Sequence, residues 1–259
     1  MKGTLSYERL DENIVVFNEK AEENGTLRPH VDAYLIVGSE KAILIDALED
    51  DESLYEAVRG ITRLPVDVLI THAHPDHAGV SVKKFYDSGC PVYLHKDDFP
   101  LLHLFGKDEA MYTPLAEGMV FDTGGYRLET LLLPGHTPGS AVFLEWSKRH
   151  LYTGDAIGSG AFWMQIPGTL PLREFRANAG KVWDRVKTMK DLSIFPGHRY
   201  QAARHDHSYF ETVLTLTDKI ISGEIPGEKR VMSLLDKTIH YRSAAYETIT
   251  DYCFLEDNI

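Results

Sequence analysis

Hydrophobic residues fall in short runs separated by polar turns, a pattern typical of alternating β-strands and helices. In the first half of the chain, strands are expected at residues 3–8, 13–18, 31–38, 42–45, 66–70 and 91–94. Helices are expected at 51–60 and 77–86, and a polar loop at Glu19 to Arg28. Residues 97–118 lack a clear period, so a short helix and a covering loop are expected there.

The second half repeats this alternation. Strands are expected at 119–122, 126–133, 140–146, 150–154 and 193–195. Hydrophobic residues recur every three or four positions over 171–190, which predicts an amphipathic helix. Asp206 is expected to cap a further helix over 207–222, closed by Gly223. Residues 224–259 look irregular, apart from a candidate strand near 247–254.

The two similar rounds, about 1–115 and 116–259, suggest two packed β-sheets with helices outside. No low-complexity segment or linker divides the chain, so one domain over 1–259 is expected. A chain of 259 residues can bury a sizeable core. Its 43% hydrophobic and 25% charged residues are typical of a globular protein.

Charge and targeting signals narrow the function classes. The net charge of −12 argues against nucleic-acid binding and against docking on an anionic membrane. No apolar stretch is long enough to span a bilayer, and the first residues have no signal-peptide pattern, so a cytoplasmic location is expected. Cys90 and Cys253 match no zinc or redox spacing, which leaves nitrogen and oxygen donors as the candidate metal ligands.

The strongest chemical signal follows the strand at 66–70, where the chain reads His72-x-His74-x-Asp76-His77. Side chains two apart in an extended chain share a face, so His72 and His74 can point at one ion. Pro75 breaks the strand and turns Asp76 and His77 toward a second point nearby. Three imidazoles and a carboxylate within six residues indicate a metal site.

Four other strand ends carry ligand-type residues. His136 and His198 each follow a strand and a Pro-Gly pair, and Asp155 follows a strand that ends in glycine. A glycine there admits close backbone approach beside the ligand. Asp46 ends the strand at 42–45, where it could cap the next turn or orient a metal-ligating histidine.

With these motifs the chain resembles the metallo-β-lactamase superfamily of metallohydrolases. The resemblance implies an α/β fold, an αββα sandwich of two mixed sheets flanked by helices, with two metal ions at one edge. It implies a first metal on His72, His74 and His136, and a second on Asp76, His77 and His198. Asp155 would bridge the two ions together with a water or hydroxide, and Asp46 would orient a ligand.

Such ligands suit hydrolysis. Two divalent ions lower the pKa of a bound water toward ~7, and they can stabilise the anion that forms on a carbonyl or phosphoryl oxygen. Asp76 and Asp155 are the expected catalytic carboxylates, and Asp76 could carry a proton to the leaving group. Zinc is the first expectation for the metal, and manganese or iron would also suit these ligands.

The motifs of this sequence differ from those of several branches of the superfamily, and these differences narrow the choice of branch. Antibiotic-degrading members replace the bridging Asp or lack the full Asp-His pair, whereas Asp76, His77 and Asp155 are all present here. The pattern fits the glyoxalase II, lactonase and esterase-like members, which implies a small ester, thioester or lactone as substrate. The alternatives are a mononuclear iron enzyme of the persulfide dioxygenase kind, a phosphodiesterase, and a non-catalytic metabolite binder.

The sequence identifies the residues of the substrate pocket less clearly than the candidate metal ligands. Phe162, Trp163 and Met164 follow Asp155 and are either a hydrophobic pocket wall or packing anchors. Arg199 could bind a substrate anion or form a structural ion pair. His240 and Tyr241 are further candidates to close the pocket. A small-molecule partner is expected, and a homodimer is possible.

Overall fold

The first half of the chain builds one mixed β-sheet in the computed structural model, which describes residues 4–23, 26–49, 53–201 and 205–259. Its strands, in both chain and spatial order, are β1 (Thr4–Arg9), β2 (Ile14–Glu23), β3 (Thr26–Val37), β4 (Ala42–Ile45), β5 (Val66–Leu69), β6 (Val92–His95) and β7 (Thr113–Leu115). Strands β1 to β4 pair antiparallel, whereas β4 to β7 pair parallel. The parallel pairing brings the carboxyl ends of β4 and β5 to the same edge.

The second sheet contains five strands from the second half. They are β8 (Val120–Asp122), β9 (Arg127–Leu132), β10 (Ala141–Glu145), β11 (His150–Gly154) and β13 (Ser193–Pro196). The spatial order is β13-β11-β10-β9-β8, and only β11 and β13 pair parallel. This parallel pair delivers the residues after Gly154 and after Pro196 to one edge.

A third sheet was not expected. It orders β12 (Ala161–Met164), β16 (Ile249–Phe254), β15 (Lys237–Tyr246) and β14 (Glu228–Leu234). The prediction that residues 224–259 are irregular was therefore wrong beyond its candidate strand. Most side chains of β14 and many of β15 are exposed, so these strands lack the hydrophobic alternation that would have identified them.

In the part of the chain that the structure describes, five α-helices cover the outer faces of the first two sheets. They are α1 (Leu54–Ile61), α2 (Ser81–Asp87), α3 (Phe99–Leu104), α4 (Leu172–Val186) and α5 (His207–Ile221). The Asp206 side chain accepts a hydrogen bond from the Tyr209 N–H and caps α5, as predicted. Within the described residues, none of the helices has the length and apolar character needed to cross a membrane.

Three hydrophobic clusters separate the layers. One lies between the two large sheets and includes Ile43 and Leu69 from the first and Phe143 and Tyr152 from the second. A second cluster packs α1, α2 and α3 on the first sheet. The third packs α4, α5 and the additional sheet on the second. The order helix, sheet, sheet, helix confirms the predicted α/β sandwich.

Several predicted boundaries were wrong. The loop expected over Glu19 to Arg28 is mostly the end of a hairpin, since β2 runs to Glu23 and β3 begins at Thr26. The helix expected from 77 begins only at Ser81, because His77 belongs to the turn after β5. Helix α1 begins at Leu54, and the expected start at 51 lies outside the described residues. Strand β7 was missed within 97–118.

Candidate metal centre

The first ligand cluster contains His72, His74 and His136. His72 and His74 follow β5, and His136 lies in the loop between β9 and β10, so the cluster draws on both large sheets. One ligand atom from each lies within 4.8 Å of the others, and His74 Nδ1 is 2.9 Å from His136 Nε2. All three rings are buried.

The second cluster contains Asp76, His77, Asp155 and His198, again with ligand atoms within 4.8 Å of one another. His198 Nε2 lies 3.3 Å from Asp76 Oδ2 and 3.3 Å from Asp155 Oδ2. His77 Nε2 lies 3.4 Å from Asp155 Oδ1. Asp76 and Asp155 keep side-chain exposures of 22% and 17%, so this cluster faces the solvent more than the first does.

Asp155 lies between the clusters. Its Oδ2 atom is 3.7 Å from His136 Nε2 of the first cluster and 3.3 Å from His198 Nε2 of the second. Its position after β11, which pairs in parallel with β13, explains the approach to His198. One carboxylate can therefore reach both clusters.

The donor geometry fits metal ions. Zinc–nitrogen and zinc–oxygen bonds of about 2.0–2.1 Å at tetrahedral angles place two ligand atoms about 3.3 Å apart. The 3.3 and 3.4 Å separations in the second cluster match this value and are long for hydrogen bonds. In addition, His72 Nε2, His77 Nε2 and Asp155 Oδ1 are buried without a hydrogen-bond partner. Buried polar atoms without partners are costly, and cations held by the two clusters would satisfy all three.

Asp46 orients the second cluster through a short hydrogen-bond chain. Its Oδ2 atom accepts from His77 Nδ1 at 2.8 Å, and Oδ1 accepts from the Thr71 N–H at 2.7 Å. The Thr71 hydroxyl donates to Asp46 and lies 3.1 Å from His72 Nδ1. Asp46 itself has a φ of 64°, a left-handed conformation that Asp tolerates better than most residues. Here Asp46 contacts a ligand histidine directly.

Backbone oxygens hold two other ligand rings. His136 Nδ1 donates to the Trp163 carbonyl at 2.9 Å, and His198 Nδ1 donates to the His30 carbonyl at 2.5 Å. Fixing one ring nitrogen sets the tautomer and leaves the other nitrogen's lone pair for an ion. Strands β12 and β3 therefore take part in the centre through main-chain atoms.

The two clusters differ in electrostatics. Burial lowers the pKa of His72 and of His136, and it lowers that of His74 to about 3. Burial alone would also lower the pKa of His77 and His198, but neighbouring carboxylates outweigh it and raise both well above the usual range. The first cluster is thus a neutral nitrogen site, and the second combines carboxylates with proton-holding imidazoles.

Steric crowding explains why the residue before His198 is a glycine, Gly197. A Cβ atom there would come within 2.3 Å of His77 Cε1 and 2.7 Å of Asp155 Oδ1. Gly154 has a φ of 49°, and its Cβ would meet the Thr71 hydroxyl at 2.3 Å. The strand-end glycines let two ligand-bearing loops touch.

Sequence reasoning missed Asp98, which is fully buried beside the first cluster. Its carboxylate accepts hydrogen bonds from the backbone of Ala73 and Gly139 and from the Thr137 hydroxyl. A signal was present, since Asp98 shortly follows β6 as Asp46 follows β4. The aromatic ring of Phe105 was also missed, and its centroid lies 6.2 Å from that of His74.

The three residues expected to form a hydrophobic pocket wall lie on opposite faces of strand β12. Phe162 and Met164 are each 1% exposed in the core, and the Phe162 ring stacks on Tyr252 at 5.0 Å. For these two residues the pocket-wall interpretation was wrong, because alternate side chains of a strand point to opposite faces. Trp163 points the other way and is 44% exposed. Its carbonyl bonds to His136, which places this residue beside the first cluster.

The other pocket candidates lie elsewhere or are already paired. Arg199 forms an ion pair with Glu8, as in the second of the two roles considered for it above. Arg199 also lines a cavity of about 580 Å³. His240 is exposed on β15 opposite Val231, and Tyr241 is opposite Arg230, both within the third sheet. A role for these three residues in substrate binding stays a prediction.

The layered fold and the two clusters define an α/β protein built to bind metal ions. The sequence profile described as Metallo-beta-lactamase superfamily matches residues 28–198, and the chain belongs to this superfamily.

Relatives of this chain carry hydrolase names. It is 32% identical over 176 residues to a hydroxyacylglutathione hydrolase of Anaeromyxobacter dehalogenans, covering 65% of this chain and 61% of that protein. It is 29% identical over 143 residues to the hydroxyacylglutathione hydrolase GloC of Haemophilus influenzae, covering 49% of this chain and 66% of the relative. The chain thus spans less than two thirds of the length of either relative.

A solved metallo-beta-lactamase from Pontibacter korlensis superposes with a TM-score of 0.68 at 20% identity. The match covers 83% of this chain and 99% of that one. At this identity the similarity shows the fold alone.

Proposed function

We propose that the protein is a dinuclear metal-dependent hydrolase acting on a small ester, thioester or lactone. The observation that carries the proposal is the position of Asp155, whose carboxylate is within 3.7 Å of a ligand nitrogen in each cluster. A carboxylate shared in this way suits two ions held close together. Zinc is the first choice for both, with manganese and iron as alternatives that the same donors accept.

The residues divide the work between binding and proton transfer. His72, His74 and His136 would hold the first ion, and Asp76, His77 and His198 the second, with Asp155 between them. When bound, a pair of divalent ions supplies hydroxide at neutral pH and stabilises the negative charge that develops on the substrate oxygen.

Asp76 is positioned to move the proton. Its Oδ2 atom lies 3.3 Å from His198 Nε2, and its side chain is 22% exposed toward the open side of the centre. Nearby His77 holds the pKa of the Asp76 carboxyl well below its usual range, so the group is ionised at neutral pH. A proton that it took from the attacking water would be held weakly and given up readily. Passing that proton to the leaving group would complete the cleavage.

The names of the relatives favour a thioester within this substrate class. Two of them are named hydroxyacylglutathione hydrolases, and the acyl group of such a compound is attached to the glutathione sulfur. The Trp163 carbonyl bonds to His136 and the Phe105 ring lies near His74, so these two side chains are candidates to contact an apolar part of a substrate. Thioesters are therefore the first compounds to assay.

The competing functions are less well supported. A mononuclear iron oxygenase would have no need of the complete second cluster with its shared carboxylate. A metabolite binder would have no need of an activated water. Phosphodiester hydrolysis uses the same two-ion arrangement, but the net charge of −12 disfavours a polyanionic substrate.

Replacing the shared carboxylate tests the proposal. We expect Asp155→Ala to lose at least one ion per chain and about 10²-fold or more in turnover, since it removes a ligand of both clusters. Asp191→Ala is a matched control, because Asp191 is an exposed aspartate paired with Arg149. Full activity and full metal content in Asp155→Ala would overturn the proposal.

A further inference from the structure

Asp98 is a charged residue buried at the junction of two ligand-bearing loops. It has 0% exposure, so neither substrate nor solvent reaches its carboxylate. Its Oδ2 atom accepts from the Ala73 N–H at 2.9 Å and from the Thr137 hydroxyl at 2.8 Å, and Oδ1 accepts from the Gly139 N–H at 2.6 Å. A buried carboxylate with three such donors is fully engaged.

The donors belong to segments that carry the first cluster. Ala73 lies between His72 and His74, and Thr137 directly follows His136. Asp98 itself comes from neither segment, since it lies between β6 and α3. Its carboxylate therefore bridges the loop after β5 in one large sheet and the loop before β10 in the other.

The surroundings leave little freedom for this bridge to shift. A Cβ atom on Gly139 would come within 2.8 Å of the Asp98 carboxyl carbon, so the loop packs closely against the carboxylate. Ser140 Oγ lies 2.8 Å from Thr137 Oγ1 and also accepts from the Thr137 N–H, which fixes the hydroxyl that Asp98 uses. Few alternative arrangements satisfy these groups.

We propose that Asp98 is a positioning residue for the three-histidine cluster, holding His72 and His74 at the correct distance and orientation from His136. This inference rests on the proposed function, because it assumes that the cluster holds an ion. The second cluster has its own carboxylate support in Asp46, which contacts His77 directly. Asp46 thus contacts a ring of the second cluster directly and reaches His72 through the Thr71 hydroxyl, whereas Asp98 holds the backbone that carries the first cluster.

Replacing Asp98 with asparagine tests whether its carboxylate acts through hydrogen bonds or only fills space. Asp98→Asn keeps the shape but replaces one acceptor oxygen with an NH₂ group, which has only hydrogens to offer. With its oxygen toward Ala73 and Thr137, the new NH₂ group would face the Gly139 N–H, donor against donor. Turned the other way, the NH₂ group would face the Ala73 N–H instead. In either orientation, one of the two ligand-bearing loops would have to move away.

The test compares ion binding by single-cluster proteins. His198→Ala weakens the second cluster and leaves the three-histidine cluster, whereas His74→Ala does the reverse. Zinc affinity is measured in each background by competition with a chelator, with and without Asp98→Asn. We expect Asp98→Asn to weaken binding about 10- to 100-fold in the His198→Ala background, the usual effect of losing support around ligands. In the His74→Ala background we expect less than about a twofold change.

Cobalt gives a second readout that general destabilisation would not produce. The visible absorption of cobalt bound to the His198→Ala protein reports ligand geometry, and we expect Asp98→Asn to alter it. Asp97→Asn is the matched control, since Asp97 is the neighbouring aspartate with its side chain 48% exposed. It should leave both the affinity and the spectrum unchanged. Thr137→Val, which removes one of the three hydrogen bonds, should give a smaller effect in the same direction and serves if Asp98→Asn fails to fold.

Equal weakening of both clusters, or unchanged affinity and spectrum at the three-histidine cluster, would overturn the positioning role. The proposed function fails in a different way. An intact chain that binds two ions but hydrolyses no ester, thioester or lactone would contradict that function and leave the binding comparison valid.

Discussion

Three of the candidate ligand histidines present one ring nitrogen to the centre while a specific oxygen holds the other. Asp46, the Trp163 carbonyl and the His30 carbonyl do this for His77, His136 and His198, respectively. Each support removes rotational freedom that an ion would otherwise have to restrict on binding. The geometry is therefore largely set by the protein.

Adjacent residues of β12 should separate substrate binding from stability. Trp163→Ala should raise KM for substrates with a large apolar acyl group by up to about tenfold, equivalent to about 1.4 kcal/mol of lost contact. Phe162→Leu should instead lower the unfolding temperature and leave KM unchanged, because Phe162 lies in the core. Steady-state kinetics and thermal unfolding of both variants check this. A smaller increase in KM for Trp163→Ala than for Phe162→Leu would contradict this prediction.

Metal binding to the second cluster should depend more strongly on pH. The pKa values of His77 and His198 are raised by their carboxylate neighbours, so these rings hold protons at neutral pH that an ion must displace. The first-cluster pKa values are lowered, so no proton is displaced there. Affinity at the second cluster should therefore rise as the pH rises from about 6 to 8, with little change at the first.

Calorimetric titration of zinc in two buffers with different ionisation enthalpies measures the protons released. The His74→Ala protein, which keeps His77 and His198, should release about two protons more per ion than the His198→Ala protein. Equal release by both would show that the clusters do not differ in protonation.

At the residue scale, the sequence predicted the candidate metal ligands better than the groups that hold those ligands in place. The spacing of His72, His74, Asp76 and His77 identified candidate ligands, because strand geometry places alternate residues on one face. Their backbone partners could not be found in this way, since every residue has a carbonyl. Asp98 escaped because its role depends on contacts with two loops distant in sequence.

At the element scale, parallel strand pairs assemble the centre. Strands β4 and β5 deliver Asp46 and the histidine motif to one edge, and β11 and β13 deliver Asp155 and His198. Each ligand-bearing loop follows a short buried strand, so backbone hydrogen bonding fixes where the ligands begin.

A methyl group on the loop after β13 should disrupt the second cluster. Gly197→Ala would place a Cβ atom 2.3 Å from His77 Cε1, so we expect that cluster to bind zinc at least about tenfold more weakly. Gly60→Ala is the control, because a Cβ at this α1 position meets nothing within 4 Å. It should raise stability by about 0.5–1 kcal/mol. Metal titration and thermal unfolding of both variants provide the check, and unchanged zinc binding by Gly197→Ala would contradict it.

Most buried elements were predicted from the sequence, whereas several exposed ones were missed. Strands such as β5 and β10 are buried throughout and mostly hydrophobic, and the amphipathic helix α4 has a clear period. Strands β14 and β15 are held by pairing to neighbouring strands rather than by burial, so their sequences carry little pattern.

At the scale of the whole molecule, the centre joins the two halves of the sandwich. Each cluster takes ligands from loops of both large sheets, with His72, His74, Asp76 and His77 on one side and His136, Asp155 and His198 on the other. Bound ions would therefore cross-link layers that otherwise meet through a hydrophobic interface. The division into one domain with two similar halves stays a prediction.

The most direct test measures metal content and hydrolysis on the same sample. Protein purified without added metal is analysed for metals per chain and assayed on thioesters, aryl esters, lactones and phosphodiesters. We expect about two divalent ions per chain and hydrolysis of the thioester, ester or lactone class, both lost on chelation and restored by zinc or manganese. A single iron per chain with oxygen consumption and no hydrolysis would contradict the dinuclear hydrolase.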